Sequence, residues 1–248
     1  MFQKFRIFII RWTIAQFEIY LFERKVSSFY KKIFNRRDLT IIDVGANRGQ
    51  TIDFFLKLND KSRLYSFEPN PKLFEELQYK YSNYENIKLI QKGISNKIET
   101  KTFFENILDE SSTFEELNMN SDYLKMKSSI LGVNPKDIVK ESYPVKVTTL
   151  NDFIVKNEIG KIDVLKIDTE GHEFECLEGL FKLENIYDVR IIQFEMHFDD
   201  MYLKNRSYEQ MNNLLNRNDF FELKKIKHGF GDFYDYFYSN KNFLDNSL

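Results

Sequence analysis

From residue 39 onward, short apolar runs alternate with longer mixed segments, the pattern of βαβ units around a parallel sheet. Leu39 to Val44 predicts the first strand, ending in Gly45-Ala46-Asn47-Arg48-Gly49-Gln50. Thr51 to Leu58 then spaces Ile52, Phe55 and Leu56 as the buried face of a helix. Arg63 to Phe67 predicts a second strand, stopped by Glu68-Pro69-Asn70-Pro71, and Ile87 to Gln91 a third, leading into Lys92-Gly93-Ile94-Ser95-Asn96. Val164 to Ile167 and Val189 to Phe194 read as fourth and fifth strands. Between them, Phe174, Leu177 and Phe181 face the core from a helix. Phe220 to Leu223 and Phe233 to Tyr238 can form a closing hairpin. This pattern predicts one α/β catalytic domain over residues 38–248.

Two stretches break the alternation. Residues 1–37 carry nine Lys or Arg against Glu18 and Glu23, a net of +7, while the whole chain is −2. Phe5, Phe8, Ile9, Trp12, Phe17 and Leu21 recur mostly at gaps of three to five, which predicts a basic amphipathic N-terminal segment of one or two helices. Arg11 interrupts its apolar stretch well short of the ~20 residues a membrane span needs. The segment packs on the catalytic domain or on a second subunit of a homo-oligomer, or else associates peripherally with an anionic membrane surface. Residues 105–145 are polar and weakly apolar, longer than an ordinary connection, and predict an acceptor lid or loop, with a disordered excursion as the alternative.

Composition narrows the classes. With 248 residues, 42% of them apolar, the chain can bury one substantial core. A net charge of −2 lacks the basic excess of a nucleic-acid binder. The single cysteine, Cys176, excludes an internal disulfide and a cysteine-only zinc site. It suits a reducing compartment, so the expected location is the cytoplasm, at the inner membrane surface if the N-terminal segment binds there.

A strand, glycine turn and helix in sequence are the context of a nucleotide fingerprint. Gly45 and Gly49 allow close backbone approach, and the N–H groups opening the next helix suit a carboxylate or a pyrophosphate. The Gly-x-x-x-Gly spacing lacks the pattern preferred for a dinucleotide pyrophosphate, and alone leaves several nucleotides open. Glu68, roughly 20 residues beyond the turn, can accept from both hydroxyls of a ribose. Gly93-Ile94-Ser95 falls where an adenine edge could be read.

The string Val164-Leu165-Lys166-Ile167-Asp168-Thr169-Glu170-Gly171-His172-Glu173, followed by Cys176-Leu177-Glu178-Gly179, resembles the FkbM family of methyltransferases. Asp43-Val44-Gly45-Ala46-Asn47, Phe67-Glu68-Pro69, Ser111-Ser112, Val147 to Asp152, and Glu195-Met196-His197 follow in the family's order, so the resemblance covers roughly residues 38–240. The family commonly carries Asp where Asn151 stands. The resemblance implies a Rossmann-like class I methyltransferase: a seven-stranded, mostly parallel sheet with an antiparallel last strand and helices on both faces, here preceded by an N-terminal helix or helices. It implies S-adenosylmethionine as cofactor, with Asp43, Gly45, Ala46, Asn47, Gly49, Gln50, Glu68, Pro69, Gly93, Ile94, Ser95 and Asp168 around it. It also implies methylation of a hydroxyl on a saccharide, glycan or related metabolite.

Transfer of a methyl from sulfonium to oxygen is an in-line displacement governed by positioning, and a base taking the hydroxyl proton adds roughly 10²- to 10⁴-fold. Asp168, Glu195 and His197 are the candidate catalytic residues. His197, unperturbed at a pKa of about 6.5, is the candidate base. The same three could hold a hard divalent cation, which the reaction does not require. Glu170 is expected to cap its helix through the dipole. Phe230, Phe233, Tyr234 and Tyr236 could stack on a sugar ring or belong to the core. Two further classes are open: a non-catalytic protein of a glycan assembly complex that keeps the cofactor fold, and an NAD-dependent sugar enzyme. The latter needs Tyr-x-x-x-Lys on a helix. Tyr84/Lys88 runs into strand three and Tyr123/Lys127 sits in the irregular segment.

Overall fold

A computed structural model describes residues 22–35, 37–108, 111–182, 188–204, 206–228 and 233–245. The first half contains α1 (Glu23–Phe34), β1 (Thr40–Val44), α2 (Gln50–Leu58), β2 (Arg63–Phe67), α3 (Pro71–Lys80), β3 (Ile87–Ile90), β4 (Gly93–Ile94), β5 (Glu99–Asn106) and α4 (Asp122–Leu131). The second contains β6 (Val139–Thr148), α5 (Leu150–Lys156), β7 (Lys161–Ile167), α6 (Glu173–Leu180), β8 (Asp188–His197), α7 (Tyr208–Asn216), β9 (Phe220–Lys227), β10 (Phe233–Asn240) and α8 (Lys241–Asp245).

Seven strands form one sheet in the order β3-β2-β1-β7-β8-β10-β9, with β10 antiparallel to both neighbours. This is the class I methyltransferase arrangement. The chain leaves β1 toward β2 and β3, then returns to β7 on the other side of β1, which makes β1/β7 the topological switch point where such sheets bind ligands. Register places Val44 beside both Phe67 and Ile167. The next residue of each strand, Gly45, Glu68 and Asp168, therefore emerges at the same edge.

Alternation along the central strands builds two cores. Ile42, Leu165 and Ile192 pack with Leu150, Leu177 and Leu215 from α5, α6 and α7 on one face. Ile41, Val164 and Ile191 pack with Tyr30, Ile52 and Leu77 from α1, α2 and α3 on the other. In α1, Val26, Tyr30 and Phe34 recur every four residues and are all buried, so this helix docks on the catalytic domain through one apolar stripe. Asn35, in the left-handed region at φ 43°, ends it by donating its N–H to the Lys31 carbonyl. Residues 1–21, which hold most of the basic amphipathic segment, lie outside the described residues. Among the described residues, no helix is long and apolar enough to cross a membrane.

A second sheet, β4-β6-β5, stands beside the first. Residues 105–145, expected as a lid or loop, contribute to it the end of β5 and much of β6, and hold α4 between them. Its core is thin, Phe103, Phe114, Val145 and Val147, and most other positions on the two long strands are exposed. That solvated face hides the strand signal in the sequence. Ser121 caps α4 by accepting from Leu124 N, and Gly132 at φ 72° closes it.

Candidate active site

The glycine turn is held from three sides. Gly45 has φ 91°, and a Cβ there would stand 1.9 Å from the Asp168 carbonyl oxygen, so only glycine lets β1 and β7 deliver their ends this close. Asn47 and Gly49 also take positive φ, and Tyr81 Oη lies 2.9 Å from the Gly49 carbonyl and 2.8 Å from Asp53 Oδ1. Glu68 braces the third side: its carboxylate accepts from Asn47 N at 2.7 Å and Asn70 N at 2.8 Å. Asn70 in turn caps α3 by accepting from Lys72 N and Leu73 N, with Pro71 in the first turn. The Glu68-Pro69-Asn70-Pro71 corner is thus local chemistry that sets the Glu68 carboxylate.

A cavity of about 450 Å³ opens at this edge, within the roughly 300–1,000 Å³ of small-ligand sites. Of the residues that the sequence assigns to the cofactor, Gly45, Asn47, Gln50, Glu68, Pro69, Gly93, Ile94 and Asp168 line it. Asp43, Ala46, Gly49 and Ser95 do not. Asp43 is fully buried beneath the turn, Ala46 belongs to the α1–α3 core, and Ser95 Oγ meets His172 Nε2 at 3.0 Å.

At the other end, past Asp168, β8 and β10 bring charged side chains together. Asp168 pairs with Lys166 Nζ at 2.8 Å. His197 Nε2 stands 2.7 Å from Glu195 Oε1 and 3.7 Å from Glu170 Oε2, with Nδ1 3.5 Å from Asp199 Oδ2. Glu195 Oε2 reaches His228 Nε2 at 3.5 Å, so one carboxylate lies between two imidazoles. Gln193 donates to Asp235 at 2.6 Å and accepts from the Tyr30 hydroxyl at 2.5 Å. Glu170, Glu195 and His197 bring ligand atoms within 4.8 Å of one another, whereas Asp168 is taken up by Lys166. The cation set expected from sequence is therefore regrouped around Glu170.

The sequence model described as "Methyltransferase FkbM domain" matches residues 43–222. This chain belongs to the FkbM methyltransferase family. It is 23% identical over 180 residues to the 2-O-methyltransferase NoeI of Sinorhizobium fredii (strain NBRC 101917 / NGR234), covering 72% of this chain and 71% of that one. It is 27% identical over 151 residues to Methyltransferase 1 of Beauveria bassiana (strain ARSEF 2860), covering 58% and 59%. The solved structure of magnesium protoporphyrin IX methyltransferase from Synechocystis PCC 6803 with bound S-adenosylmethionine superposes with a TM-score of 0.49 at 13% identity, over 88% of this chain and 78% of that chain.

The cofactor of this FkbM methyltransferase is S-adenosylmethionine. The residues present fit it. The cradle left by Gly45 and the N-terminus of α2 face the cavity, and Glu68 lines it with a carboxylate, a group that accepts from hydroxyls.

Electrostatics distinguish the charged groups of the FkbM methyltransferase. Burial alone would depress the Lys166 ammonium, but Asp168, Asp43 and Asp235 outweigh it and hold it above its ordinary value. Asp168 is correspondingly held below the usual carboxylate range by Lys166, against its burial. Burial pushes Asp43 up to about 6, and burial followed by the Asp168 charge pushes Glu195 up to about 7. For His197, burial favours the neutral ring, yet Glu170, Asp199 and Glu195 hold its pKa well above the usual value. The ring that sequence treats as a neutral base is thus pushed toward its cationic form by the carboxylates around it. Glu170 also differs from its expected role. At φ 56° its carboxylate accepts from Tyr202 at 3.0 Å, and Glu173 instead accepts from Thr169 N and Gly171 N ahead of α6.

These shifts carry a pH prediction for the unliganded protein. Asp43, Glu195 and Glu173 (pushed by burial to about 7) bind protons more tightly when folded than when unfolded, and so does His197. Their contributions are greatest when these groups are protonated and shrink as pH rises through the folded values; Asp168 and Glu175, held low, have already gained theirs by about pH 5. The thermal midpoint should fall between pH 5 and 8. A midpoint that climbs across that range contradicts the assignment.

Several residues of the site carry no signal in the sequence. Lys166 and Gln193 look like polar interruptions of buried strands, and His228 and Asp235 sit on the closing hairpin, far from any motif. Phe233 lines the cavity, whereas Tyr236 is core and Phe230 lies outside the described residues. Tyr123 and Lys127, expected in an irregular segment, occupy successive turns of α4 and both face the cavity. Family membership and the glycine spacing leave that pair without the nucleotide an NAD enzyme needs.

Proposed function

We propose that this FkbM methyltransferase methylates a hydroxyl oxygen on a saccharide, with Glu195 as the proton acceptor. The observation that carries the reading is one continuous cavity running from the glycine turn and Glu68, past Asp168, to the Glu195–His197 pair. S-adenosylmethionine supplies an electrophilic methyl group when bound. Glu195, pushed to about 7, takes up the hydroxyl proton near neutral pH, where a base is most effective. His197, cationic at 2.7 Å, stabilises the ionised carboxylate beforehand. Lys166 keeps Asp168 charged and fixed at the end of β7. Support for oxygen as the acceptor comes from the relative named a 2-O-methyltransferase, and support for a sugar from aromatic walls, Phe22, Phe54 and Phe233, set against carboxylates that accept from hydroxyls.

The test is incubation with labelled S-adenosylmethionine and a glycan and lipid extract of the source cells. Label in an alkali-stable sugar ether is the expected result. Label confined to lipid or protein without sugar, or no transfer at all, overturns the proposal; the last outcome favours a non-catalytic role in glycan assembly.

A further inference from the structure

The family match begins at Asp43, yet α1, which lies wholly before it, supplies part of the cavity wall. Phe22, Glu23 and Val26 face the cavity from the first turn of α1 and the residue before it. The Phe22 ring stacks on His228 with centroids 4.2 Å apart and planes 28° from parallel. His228 in turn meets Glu195 at 3.5 Å and packs tilted against Phe233, with ring centroids 4.5 Å apart. The α1 end of the cavity is thereby joined to the β8–β10 side, across from the Glu68 corner.

The helix is pinned in that position. Tyr30, fully buried, donates to Gln193 on β8, which donates to Asp235 on β10. Tyr30 also packs edge-on to Phe54 at 6.2 Å and Phe29 on Phe237 at 4.7 Å. A helix anchored by a buried hydroxyl and two aromatic contacts presents its first turn to the same cavity as Glu195.

We infer that α1 is the acceptor-side wall of the active site, and that Phe22, Glu23 and Val26 determine which acceptor fits. The wall suits a ring with one apolar face and hydroxyls at its rim: the Phe22 ring and Val26 take the face, and Glu23 accepts from a hydroxyl. This rests on cofactor and acceptor sharing the cavity and does not require the acceptor to be a sugar. Members of the family with the same domain and a different leading helix would then accept different substrates.

A thiol at residue 22 tests it whatever the acceptor is. The only native cysteine, Cys176, is fully buried, so Phe22→Cys, or Glu23→Cys should the first variant fold poorly, gives a single reactive site. The probes are a methanethiosulfonate carrying a benzyl group and S-adenosylhomocysteine. Three results are expected. Saturating S-adenosylhomocysteine leaves the labelling rate within about twofold. The labelled protein binds S-adenosylhomocysteine within about threefold of the unlabelled protein by calorimetry. Transfer of label from S-adenosylmethionine to the cell extract is at least tenfold lower for the thiol-modified variant than for the parent protein. Protection of the thiol by S-adenosylhomocysteine beyond tenfold, or a tenfold loss of its affinity on labelling, would place α1 on the cofactor and overturn the inference. Undiminished transfer by the labelled protein overturns it equally. If the extract accepts no methyl at all, the saccharide proposal fails, while the protection and affinity measurements still decide the placement of α1.

Discussion

Gly45→Ala is expected to weaken S-adenosylmethionine binding by more than about 100-fold and to lower the thermal midpoint by about 10 °C. The backbone at φ 91° is one that L residues rarely adopt, a cost of roughly 1–2 kcal/mol. The added methyl would meet the Asp168 carbonyl oxygen at 1.9 Å, and that atom belongs to backbone that cannot swing aside. Relief requires β1 and β7 to part where Val44 pairs with Ile167, which adds about 1–3 kcal/mol of overpacking strain. For a chain of this size, each kcal/mol is worth roughly 2–4 °C. The same displacement shifts the turn and the Asp168 end relative to Glu68, so cofactor affinity should drop by more than about 100-fold, equivalent to roughly 3 kcal/mol. Calorimetry and a melting curve check both halves. A variant that melts with the parent and binds within threefold would show that the contact is relieved by local movement alone.

Glu195→Gln should lower kcat by roughly 10²- to 10⁴-fold while leaving S-adenosylmethionine affinity within about threefold. The amide keeps the shape of the side chain but cannot take a proton from the acceptor. Stability above pH 7 should not fall, because a carboxylate that burial raises to about 7 is removed along with its cost. His197→Gln separates base from counter-charge. It leaves Glu170, Glu195 and Asp199 facing one another without the imidazolium, and breaking such a buried ion cluster costs about 3–5 kcal/mol. Glu195→Gln is therefore the kinetic variant and His197→Gln the stability variant. Turnover by Glu195→Gln within threefold of the parent would remove Glu195 as the base.

Much of the cofactor end was legible in the sequence because its determinants are local. A strand that must stop in glycine, an Asn-Pro corner that caps its own helix, and a glutamate two residues ahead of that cap are written within a few positions of one another. The acid–base end was legible only in part. Glu195 and His197 announce themselves at a strand terminus, but the protonation of His197 depends on Glu170 and Asp199, the first of them from another strand's end. The β5–β6 sheet escaped because one face is solvated and its small core supplies too few apolar positions to set a period.

By itself the sequence determined the strands and helices of the central sheet and the corner at Glu68, which follow from residues close in the chain, and through the order of its motifs the family and with it the cofactor. Tertiary structure alone decided that Gly45 faces the Asp168 carbonyl, that Glu195 lies between His197 and His228, and that α1 forms a wall of the cavity. Apart from the neighbouring Glu195 and His197, those contacts join residues tens to hundreds of positions apart, and only closure of the sheet with its two cores brings them into the low-dielectric space that sets their charge.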